Sequence, residues 1–208
     1  MGKLIVTEFM TLDGIGQAPG GPGEDPEGGF EYGGWQAPFV DAEAGGLMFD
    51  RAKDMDALLL GRRTYDIFAG YWPSAPAEMG FTRLLNRIPK YVATRTLEGP
   101  LAWEGSSVLE GELAEGVAGL KERYDRVHVI GSLNLVQSLL GQGLVDRLHL
   151  WVYPVVLGAG KRVFEGGAMP SALRLAQSRV FPKGSLQLEY EWAGEPTVGD
   201  LSNPDGAV

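Results

Sequence analysis

Apolar and polar positions alternate with two different periods along the chain. Short apolar runs bounded by turn-forming residues recur at 4–10, 57–60, 90–97, 106–111, 126–132 and 145–156. Runs of this length and kind are typical of buried strands. Between them lie stretches whose apolar residues are three and four positions apart, typical of amphipathic helices, at 41–55, 63–72, 112–124 and 133–143.

The order of these elements predicts the fold class. Strands and helices alternate over most of the chain, which favours parallel strands joined by crossover helices. Two late strands, at 173–181 and 185–193, are separated by a Pro-Lys-Gly turn and predict an antiparallel hairpin. We therefore expect an α/β protein with a single domain over 1–193 and a small, polar, flexible tail over 194–208.

Residues 14–35 interrupt this pattern. They contain nine glycines, three prolines and four carboxylates, a composition that supports no regular helix or strand. Loops of this length inside a compact domain are usually functional or disordered. We expect a long surface loop that is mobile and closes over a ligand.

Composition and charge narrow the classes of function. The chain has 208 residues, a net charge of −9 and no cysteine, so disulfides and thiolate chemistry are excluded. The negative charge argues against nucleic acid as a partner. No stretch reaches the roughly 18 to 20 apolar residues of a membrane span. Because the chain enters strand-like sequence directly after its first residues, we expect a cytoplasmic protein.

Basic and hydroxyl side chains collect where three predicted strands end. The three groups are Gly61, Arg62, Arg63 and Thr64; Thr94, Arg95 and Thr96; and Gly131, Ser132, Leu133 and Asn134. Open α/β sheets bind ligands at the carboxyl ends of their strands, where helix N-termini and arginine forks suit phosphates. Three such groups predict a ligand with several phosphates, such as a dinucleotide. Solvated surface arginines are the alternative, and the dinucleotide motif G-x-G-x-x-G is absent.

The two histidines of the chain, His128 and His149, both fall within predicted strands. Their separation matches no metal-ligand motif. We expect ordinary sheet or core histidines, and we expect no metal site.

Five segments resemble the dihydrofolate reductase-like superfamily, in the order FMTLDG, LLLGRRTYDIF, YVATRTL, VHVIGSLNLVQSLL and VDRLHLWVYPVVLGAGKRVF. The similarity covers residues 3–192 and is strongest to the branch named after the C-terminal reductase domain of the bifunctional riboflavin-biosynthesis deaminase/reductase. It implies a three-layer fold with a mixed, mainly parallel, eight-stranded sheet and about four flanking helices. It also implies NADPH as cofactor, a small-molecule substrate and a homodimer.

The resemblance also implies roles for the residues at the strand ends. Arg62 and Arg63 match positions beside the adenosine 2′-phosphate and the pyrophosphate, and Thr64 caps the following helix. Residues 94–96 match a segment around the adenosine phosphate. Gly131 and Ser132 match a Gly-Gly pair over which the nicotinamide and pyrophosphate lie. The glycine-rich loop matches the mobile loop that closes over the nicotinamide.

The substrate side departs from the family pattern. The acid that anchors the pteridine of folate reductases falls at or near Gly45, and its threonine partner falls at Trp151. Ile130 stands where the riboflavin reductases usually carry glutamate. We therefore expect a poor dihydrofolate reductase, and the resemblance does not identify the substrate.

These observations predict an NADPH-dependent reductase that transfers hydride to a C=N or C=O bond of a small heterocyclic or polar substrate. The alternatives are a true riboflavin-pathway reductase and a non-catalytic nucleotide-binding or sensor protein. Candidate proton donors or substrate anchors are Asp13, Asp41 and Glu43. Turn or helix capping is the alternative role for these carboxylates, and water is the alternative proton source. Candidate pocket residues are Phe9, Trp35, Met48 and Trp151.

The late strands carry the aromatic residues Trp151, Tyr153, Tyr190 and Trp192. Strand alternation puts each successive pair on one face. Such a face could cover the partner in the homodimer, and packing under a helix is the alternative.

Overall fold

The computed structural model describes residues 1–97, 99–165, 169–200 and 202. Within them one sheet is formed by the strands β1 (Lys3–Thr11), β2 (Ala57–Gly61), β3 (Lys90–Ala93), β4 (Ser106–Val108), β5 (Arg126–Ile130), β6 (Arg147–Tyr153), β7 (Leu173–Val180) and β8 (Leu186–Trp192). The α-helices are α1 (Ala42–Ala52), α2 (Arg62–Tyr71), α3 (Gly80–Arg87), α4 (Leu113–Arg123) and α5 (Leu133–Gly141).

The strands lie in the order β4-β3-β2-β5-β1-β6-β8-β7. The first six strands in this order pair in parallel. Strand β8 runs antiparallel to both β6 and β7. The predicted α/β class, with a mainly parallel sheet and a late antiparallel hairpin, is confirmed.

Helices cover the sheet on two faces. On one face, called the α5 face, Leu4 of β1 packs with Val117 of α4 and Leu139 of α5. On the other, called the α1 face, Leu58 of β2 packs with Leu85 of α3 and with residues of α1 and α2. Successive side chains of a strand point to opposite faces. Neighbouring residues at the end of a strand therefore lie on different faces of the sheet, one on the α5 face and the next on the α1 face.

One helix was missed by the sequence pattern. Helix α3 raises the number of α-helices in the described residues to five, against about four predicted. It begins at Gly80 without a side-chain N-cap and has only eight residues, so the usual start signals are missing. Leu84 and Leu85 are buried, and tertiary packing therefore stabilises this helix more than its local propensity does.

Two strands end earlier than predicted. Strand β3 ends at Ala93, because the hydroxyl of Thr94 accepts the N–H groups of Thr96 and Leu97 at 3.2 Å each and turns the chain out of the sheet. Strand β6 ends just before Pro154, which has no N–H to donate to the ladder.

The glycine-rich loop is more closely packed than a surface loop. Ile15 is fully buried and forms an isolated antiparallel bridge with Arg162. The indole N–H of Trp35 donates to the carbonyl of Gln17 at 2.7 Å. A single turn of 3-10 helix occupies Glu27–Gly29. The prediction of a loop wholly on the surface was therefore wrong for residues 15–18 and for Trp35, which are buried.

The aromatic residues of β6 do not form an exposed face. Trp151 and Tyr153 are each 1% exposed. They belong to an apolar cluster with Phe181 and with Ala44 of α1, so the alternative of packing under a helix is the correct one. Trp192 of β8 is 37% exposed.

The chain after β8 forms no helix or strand over residues 194–200. The rest of the predicted tail, at 201 and 203–208, lies outside the described residues. Within the described ranges, none of the helices combines the length and the apolar character needed to cross a bilayer.

Candidate active site

A cleft of about 1080 Å³ opens at the carboxyl ends of β1, β2 and β5. Residues of α1, α2 and α5 and of the glycine-rich loop form its walls. Small-molecule sites typically measure roughly 300 to 1,000 Å³. The cleft therefore has room for an extended ligand and a second small molecule, and it lies where open α/β sheets bind ligands.

The tertiary structure brings the three predicted strand-end groups together. The predicted cofactor residues that line the cleft are Gly61, Arg62, Arg63, Thr64, Thr94, Arg95, Gly131, Ser132, Leu133 and Asn134. Thr96 is not part of the lining, but its hydroxyl accepts a hydrogen bond of 2.6 Å from Arg62. Residues far apart in sequence thus form one polar wall.

Strand β5 is followed by two consecutive residues with positive φ. Gly131 has φ of 63° and Ser132 has φ of 68°, which is uncommon for a non-glycine residue. The Ser132 hydroxyl accepts the backbone N–H of Gly61 at 3.0 Å, and Gly131 donates its N–H to the carbonyl of Thr7 at 3.2 Å. These bonds join the end of β2 to the residues that follow β5, and join those residues to the middle of β1. The N-termini of α2 and α5 consequently share one wall of the cleft, an arrangement suited to anions.

Helix α2 begins at Arg62, and its N-cap is Gly61. Thr64 is therefore the third residue of the helix and not its cap, which corrects the capping role that the resemblance implied. Gly61 has no side chain that could occupy the first N–H groups of α2. Thr64 faces Gly131, because a Cβ at Gly131 would lie 3.8 Å from its methyl group.

Two of the three predicted arginines are open to the cleft. Arg62 lies beside Asp66 at 3.5 Å, and its side chain is 48% exposed. Arg95 lies within the turn that Thr94 shapes and also lines the cleft. Because a half-exposed guanidinium keeps most of its hydration, these groups can bind an incoming phosphate without first breaking a buried pair.

Arg63, by contrast, is held by the glycine-rich loop. Its guanidinium pairs with Glu27 and lies 3.9 Å from Asp25. Lys161 contacts both of these carboxylates at 2.5 Å. We call the group of Asp25, Glu27, Arg63 and Lys161 the loop clamp. It attaches the loop to the start of α2 and to the segment after β6.

The three carboxylates predicted as proton donors lie outside the cleft lining. Asp13 accepts hydrogen bonds from the Thr11 hydroxyl at 2.5 Å and from the N–H of Gly158 at 2.8 Å. The Thr11 hydrogen bond is the main cause of its lowered pKa. Asp41 caps α1 through the N–H of Ala44. These contacts are the capping roles stated as the alternative, so the structure does not support Asp13 or Asp41 as a proton donor.

Glu43 lies on the outer side of α1. Its carboxylate pairs with Arg179 of β7 at 2.5 Å, and both side chains are about half exposed. The α1 residues that line the cleft are Met48, Arg51 and Ala52. Gly45, at or near which the pteridine-binding acid was expected, is not among them. Helix α1 still supplies no carboxylate to the cleft.

Three of the four predicted pocket residues do line the cleft. They are Phe9, Met48 and Trp151. The rings of Phe9 and Trp151 stack with centroids 6.5 Å apart. Trp35 instead packs edge-to-face on Tyr153, 5.5 Å away, and therefore supports the wall from behind.

Glu8 is a cleft residue that the sequence analysis missed. It follows Leu4 and Val6 in the row of β1 that packs on the α5 face, and it is 1% exposed. Among the described residues, its Oε1 atom is buried without a hydrogen-bond partner. Burial raises the pKa of Glu8 to about 8. The carboxyl group is thus mainly neutral at pH 7, and Glu8 lines the cleft.

Both histidines also line the cleft, although they were predicted to be ordinary sheet or core residues. They lie on the α1 face, opposite Glu8, because His128 pairs with Ile5 and His149 pairs with Thr7. The signal for Glu8, His128 and His149 was present in the sequence. Each is a polar residue inside an otherwise apolar strand, a position that requires a partner or a ligand.

The fold and cleft together define an open α/β protein in which a wall of helix N-termini and arginines lies beside an apolar chamber. The chain belongs to the family described as RibD C-terminal domain, whose model matches residues 2–186. It is 26% identical over 203 residues to the uncharacterized protein YyaP of Bacillus subtilis strain 168, covering 92% of this chain and 96% of YyaP.

Several solved structures share the fold of this chain. One is a putative riboflavin biosynthesis protein from Shewanella sp. PV-4, with a TM-score of 0.66, 20% identity, and coverage of 92% of this chain and 99% of that chain. Another is a pyrimidine reductase-like protein from Corynebacterium diphtheriae, with a TM-score of 0.65, 14% identity and 93% coverage of each chain.

A longer protein of Thermotoga maritima shares the fold over part of its length. It is a diaminohydroxyphosphoribosylaminopyrimidine deaminase/5-amino-6-(5-phosphoribosylamino)uracil reductase, with a TM-score of 0.63 and 16% identity. The match covers 92% of this chain but 57% of the Thermotoga chain. At these identities the likeness concerns the fold alone.

Proposed function

We propose that the protein is an NADPH-dependent reductase that transfers hydride to a C=N or C=O bond of a small heterocyclic or polar substrate. The observation that carries this proposal is the hydrogen bond of Gly61 to Ser132, which joins the N-termini of α2 and α5 in one wall. Arg62 and Arg95 flank that wall. Membership of a reductase-domain family that is generally NADPH-dependent supports the same function.

The chemistry of the wall fits the cofactor. The N–H group of Ser132 and the first N–H groups of α2 and α5 would hold the pyrophosphate, because helix N-termini and left-handed nests bind phosphate. Arg62 and Arg95 would hold the 2′-phosphate through charge-assisted hydrogen bonds. When bound, the nicotinamide supplies the hydride. The rest of the work, binding, orientation and exclusion of water, belongs to the chain.

Residues on the two faces of the sheet would have different roles in binding and orientation. On the α5 face, the neutral carboxyl of Glu8 offers one O–H donor and one carbonyl acceptor without adding a charge. On the α1 face, Phe9, Met48 and Trp151 enclose an apolar chamber that would hold the substrate. Water at the cleft mouth would supply the proton that completes the reduction.

A true riboflavin-pathway reductase is the second candidate. It is favoured by the uracil reductase function of the Thermotoga protein, whose fold this chain shares. Ile130, which lines the cleft, removes the polar group that the resemblance leads us to expect there. The general reductase is therefore the better supported function, and assays with a ribosylaminopyrimidine compare the two directly.

Cofactor preference tests the proposal. We expect NADPH to bind at least ~10²-fold more tightly than NADH, because two charge-assisted hydrogen bonds contribute about 1.5 to 3 kcal/mol each. Fluorescence or calorimetric titration with both cofactors measures the ratio. Equal affinities would contradict the assignment of the arginines, and binding without turnover of any carbonyl or imine would favour the non-catalytic alternative.

The variant Arg62→Ala separates the phosphate contact from the rest of the site. We expect it to weaken NADPH about tenfold or more while NADH affinity hardly changes, because NADH has no 2′-phosphate. Arg174→Ala is the matched control, since Arg174 lies on β7 at the opposite edge of the sheet. An equal loss for both cofactors would show that Arg62 acts on the fold instead of the phosphate.

A further inference from the structure

The carboxyl group of Glu8 lies in an otherwise apolar part of the molecule. On the α5 face, its row of β1 also contains Leu4 and Val6, which belong to the main apolar cluster. Its pairing partner on β6 is Leu150, a buried member of the same cluster. Glu8 is itself buried and lines the cleft. A polar side chain in this position requires a partner or a ligand.

The chain supplies no hydrogen-bond partner for one oxygen of this carboxyl group. Within the part of the chain that the structure describes, the Oε1 atom of Glu8 is buried and makes no hydrogen bond. Burial raises the pKa of Glu8 to about 8, against the smaller opposing effect of the Phe9 backbone. Because buried polar atoms normally have partners, the unpaired oxygen indicates that a ligand completes the site.

The elements packed around Glu8 bring no charge close to it. Helix α5 covers this face of β1 and has no ionisable side chain along Leu133–Gly141. Helix α4 faces the sheet with Val117, and β5 contributes Val129. The charged residues of the cleft lie on other elements and are Glu24, Arg51, Arg62, Asp66, Arg95, Glu112 and the loop clamp.

Glu8 directly follows the residue of β1 that contacts the anion-binding wall. Pairing of β1 with β5 ends at Thr7 and Ile130, and the Thr7 carbonyl accepts the N–H of Gly131 at 3.2 Å. This carbonyl belongs to the peptide unit that joins Thr7 to Glu8. The Glu8 side chain points to the face covered by α5, whose N-cap is Ser132. A ligand held at that helix N-terminus can therefore extend along the cleft to the carboxyl group.

We propose that the carboxyl group of Glu8 binds the carboxamide of the nicotinamide ring and fixes the orientation of that ring in the cleft. A neutral carboxylic acid has an O–H donor and a C=O acceptor on one edge. A primary amide has an N–H donor and a C=O acceptor on one edge, so the two groups form two parallel hydrogen bonds. The inference rests on the proposed function, in which the N-termini of α2 and α5 hold the cofactor.

This contact would position the reacting atom and make cofactor binding depend on pH. By holding the carboxamide, Glu8 would also fix the neighbouring ring carbon, from which the hydride leaves, relative to the apolar chamber. An ionised Glu8 has no donor, and its charge would repel the nearby pyrophosphate. Binding should therefore be strongest with the carboxyl group neutral and should weaken as the pH rises through the pKa of about 8.

Two cofactor analogues test the contact in the wild-type protein by calorimetry. In the 3-acetylpyridine analogue of NADP⁺ a methyl group replaces the amide nitrogen, and 2′-phospho-ADP-ribose lacks the nicotinamide ring. At pH 7 we expect NADP⁺ to bind about tenfold more tightly than the acetylpyridine analogue, because the analogue loses one net hydrogen bond. Equal affinities for these two ligands would overturn the inference.

Two variants separate the contact from an effect on folding. Glu8→Gln keeps one donor and one acceptor on its edge and should keep the preference for NADP⁺. Glu8→Leu has neither and should bind NADP⁺ and the acetylpyridine analogue equally. Both variants should bind 2′-phospho-ADP-ribose as the wild type does. A preference that survives in Glu8→Leu would contradict the contact, and so would an equal loss of NADP⁺ and 2′-phospho-ADP-ribose in that variant.

The protonation state gives a readout that needs no analogue. Relative to Glu8→Gln, the affinity of the wild type for NADP⁺ should fall about tenfold between pH 7 and 9, as a pKa of about 8 requires. The infrared C=O band of the protonated carboxyl group should shift when NADP⁺ binds, and this shift should be absent in Glu8→Gln. A constant affinity ratio or an unshifted band would overturn the inference. If neither NADP⁺ nor 2′-phospho-ADP-ribose binds, the proposed function fails, whereas binding of both without the amide preference contradicts the Glu8 contact alone.

Discussion

At the scale of single residues, the burial of Glu8 has the largest electrostatic consequence. It occupies a row of β1 that is otherwise apolar, and burial raises the pKa of its carboxyl group from the ordinary 4.5 to about 8. Ionisation of Glu8 is therefore less favourable in the folded protein than in the unfolded chain. Its contribution to stability is fully present below pH 4.5 and is lost as the pH rises toward 8.

The variant Glu8→Gln should remove this pH dependence, because the amide has similar shape and stays neutral. We expect the free energy of unfolding of the wild type, relative to the variant, to fall by several kcal/mol between pH 5 and 8, since each pKa unit corresponds to about 1.4 kcal/mol. Urea unfolding at a series of pH values measures the difference. Parallel curves for the two proteins would refute the raised pKa.

The histidines change the stability with pH in the opposite direction to Glu8. Their effect cancels when the wild type is compared with Glu8→Gln. Burial lowers the pKa of His128 to about 4, so its contribution to stability is present above its ordinary pKa of 6.5 and is lost as the pH falls toward 4. Both proteins contain His128 and His149. The difference between their curves therefore reports Glu8.

At the scale of elements, the glycine-rich loop is joined to α2 by the loop clamp. Asp25 lines the cleft while it contacts Lys161, and Arg63 is paired with Glu27. A phosphate that binds Arg63 therefore competes with the loop for the guanidinium. Cofactor binding should therefore change the contacts of the loop. The predicted mobility of residues 14–35 can be measured by comparing the loop with and without bound cofactor.

We expect amide hydrogen exchange in residues 14–35 to slow when NADPH and substrate bind, because a lid that closes over the ligands is ordered by contact with them. Those contacts must offset the entropy cost of ordering a glycine-rich loop, which is ~1 kcal/mol or more per residue. Glu27→Gln should speed exchange in the free protein about two- to fivefold, since exposed ion pairs contribute roughly 0.2 to 1 kcal/mol. Glu31→Gln, an exposed change in the same loop, is the control. Unchanged exchange on ligand binding would contradict a lid role.

At the scale of the whole molecule, one edge of the sheet is left uncovered. All eight residues of β7 are exposed. Leu173 and Leu175 pair with Trp192 and Tyr190 of β8 and share a face with them. Val180 is 72% exposed on the same strand. Contiguous exposed apolar surface of this kind is typical of protein interfaces.

We therefore retain the homodimer as a prediction, now assigned to β7 and not to Trp151 and Tyr153. Light scattering at micromolar concentration should give twice the mass of the chain. Leu175→Lys should yield a monomer, because a charge on an apolar interface is left without a partner. Leu12→Lys, at another exposed leucine, should remain dimeric. A monomer mass for the wild type would exclude the dimer.

Much of the fold and half of the site could be predicted from local sequence. Strands β2 and β5 are short apolar runs that end in glycine, and turn chemistry marks their ends at Gly61 and Gly131. Helix α3 could not be predicted, because Leu84 and Leu85 stabilise it only by packing. Glu8, His128 and His149 are each marked in the sequence as polar residues inside apolar strands, but only the neighbouring strands show that they line one cleft.

The sequence by itself determined the order of elements, the mainly parallel sheet and the basic groups at three strand ends, because those features depend on residues close together in the chain. The tertiary structure decided which polar groups share the cleft. It turned Asp13 and Asp41 toward nearby backbone N–H groups, and it buried Glu8 and His149 on opposite faces of the sheet. The physical reason is that burial and pKa depend on packing between strands far apart in sequence.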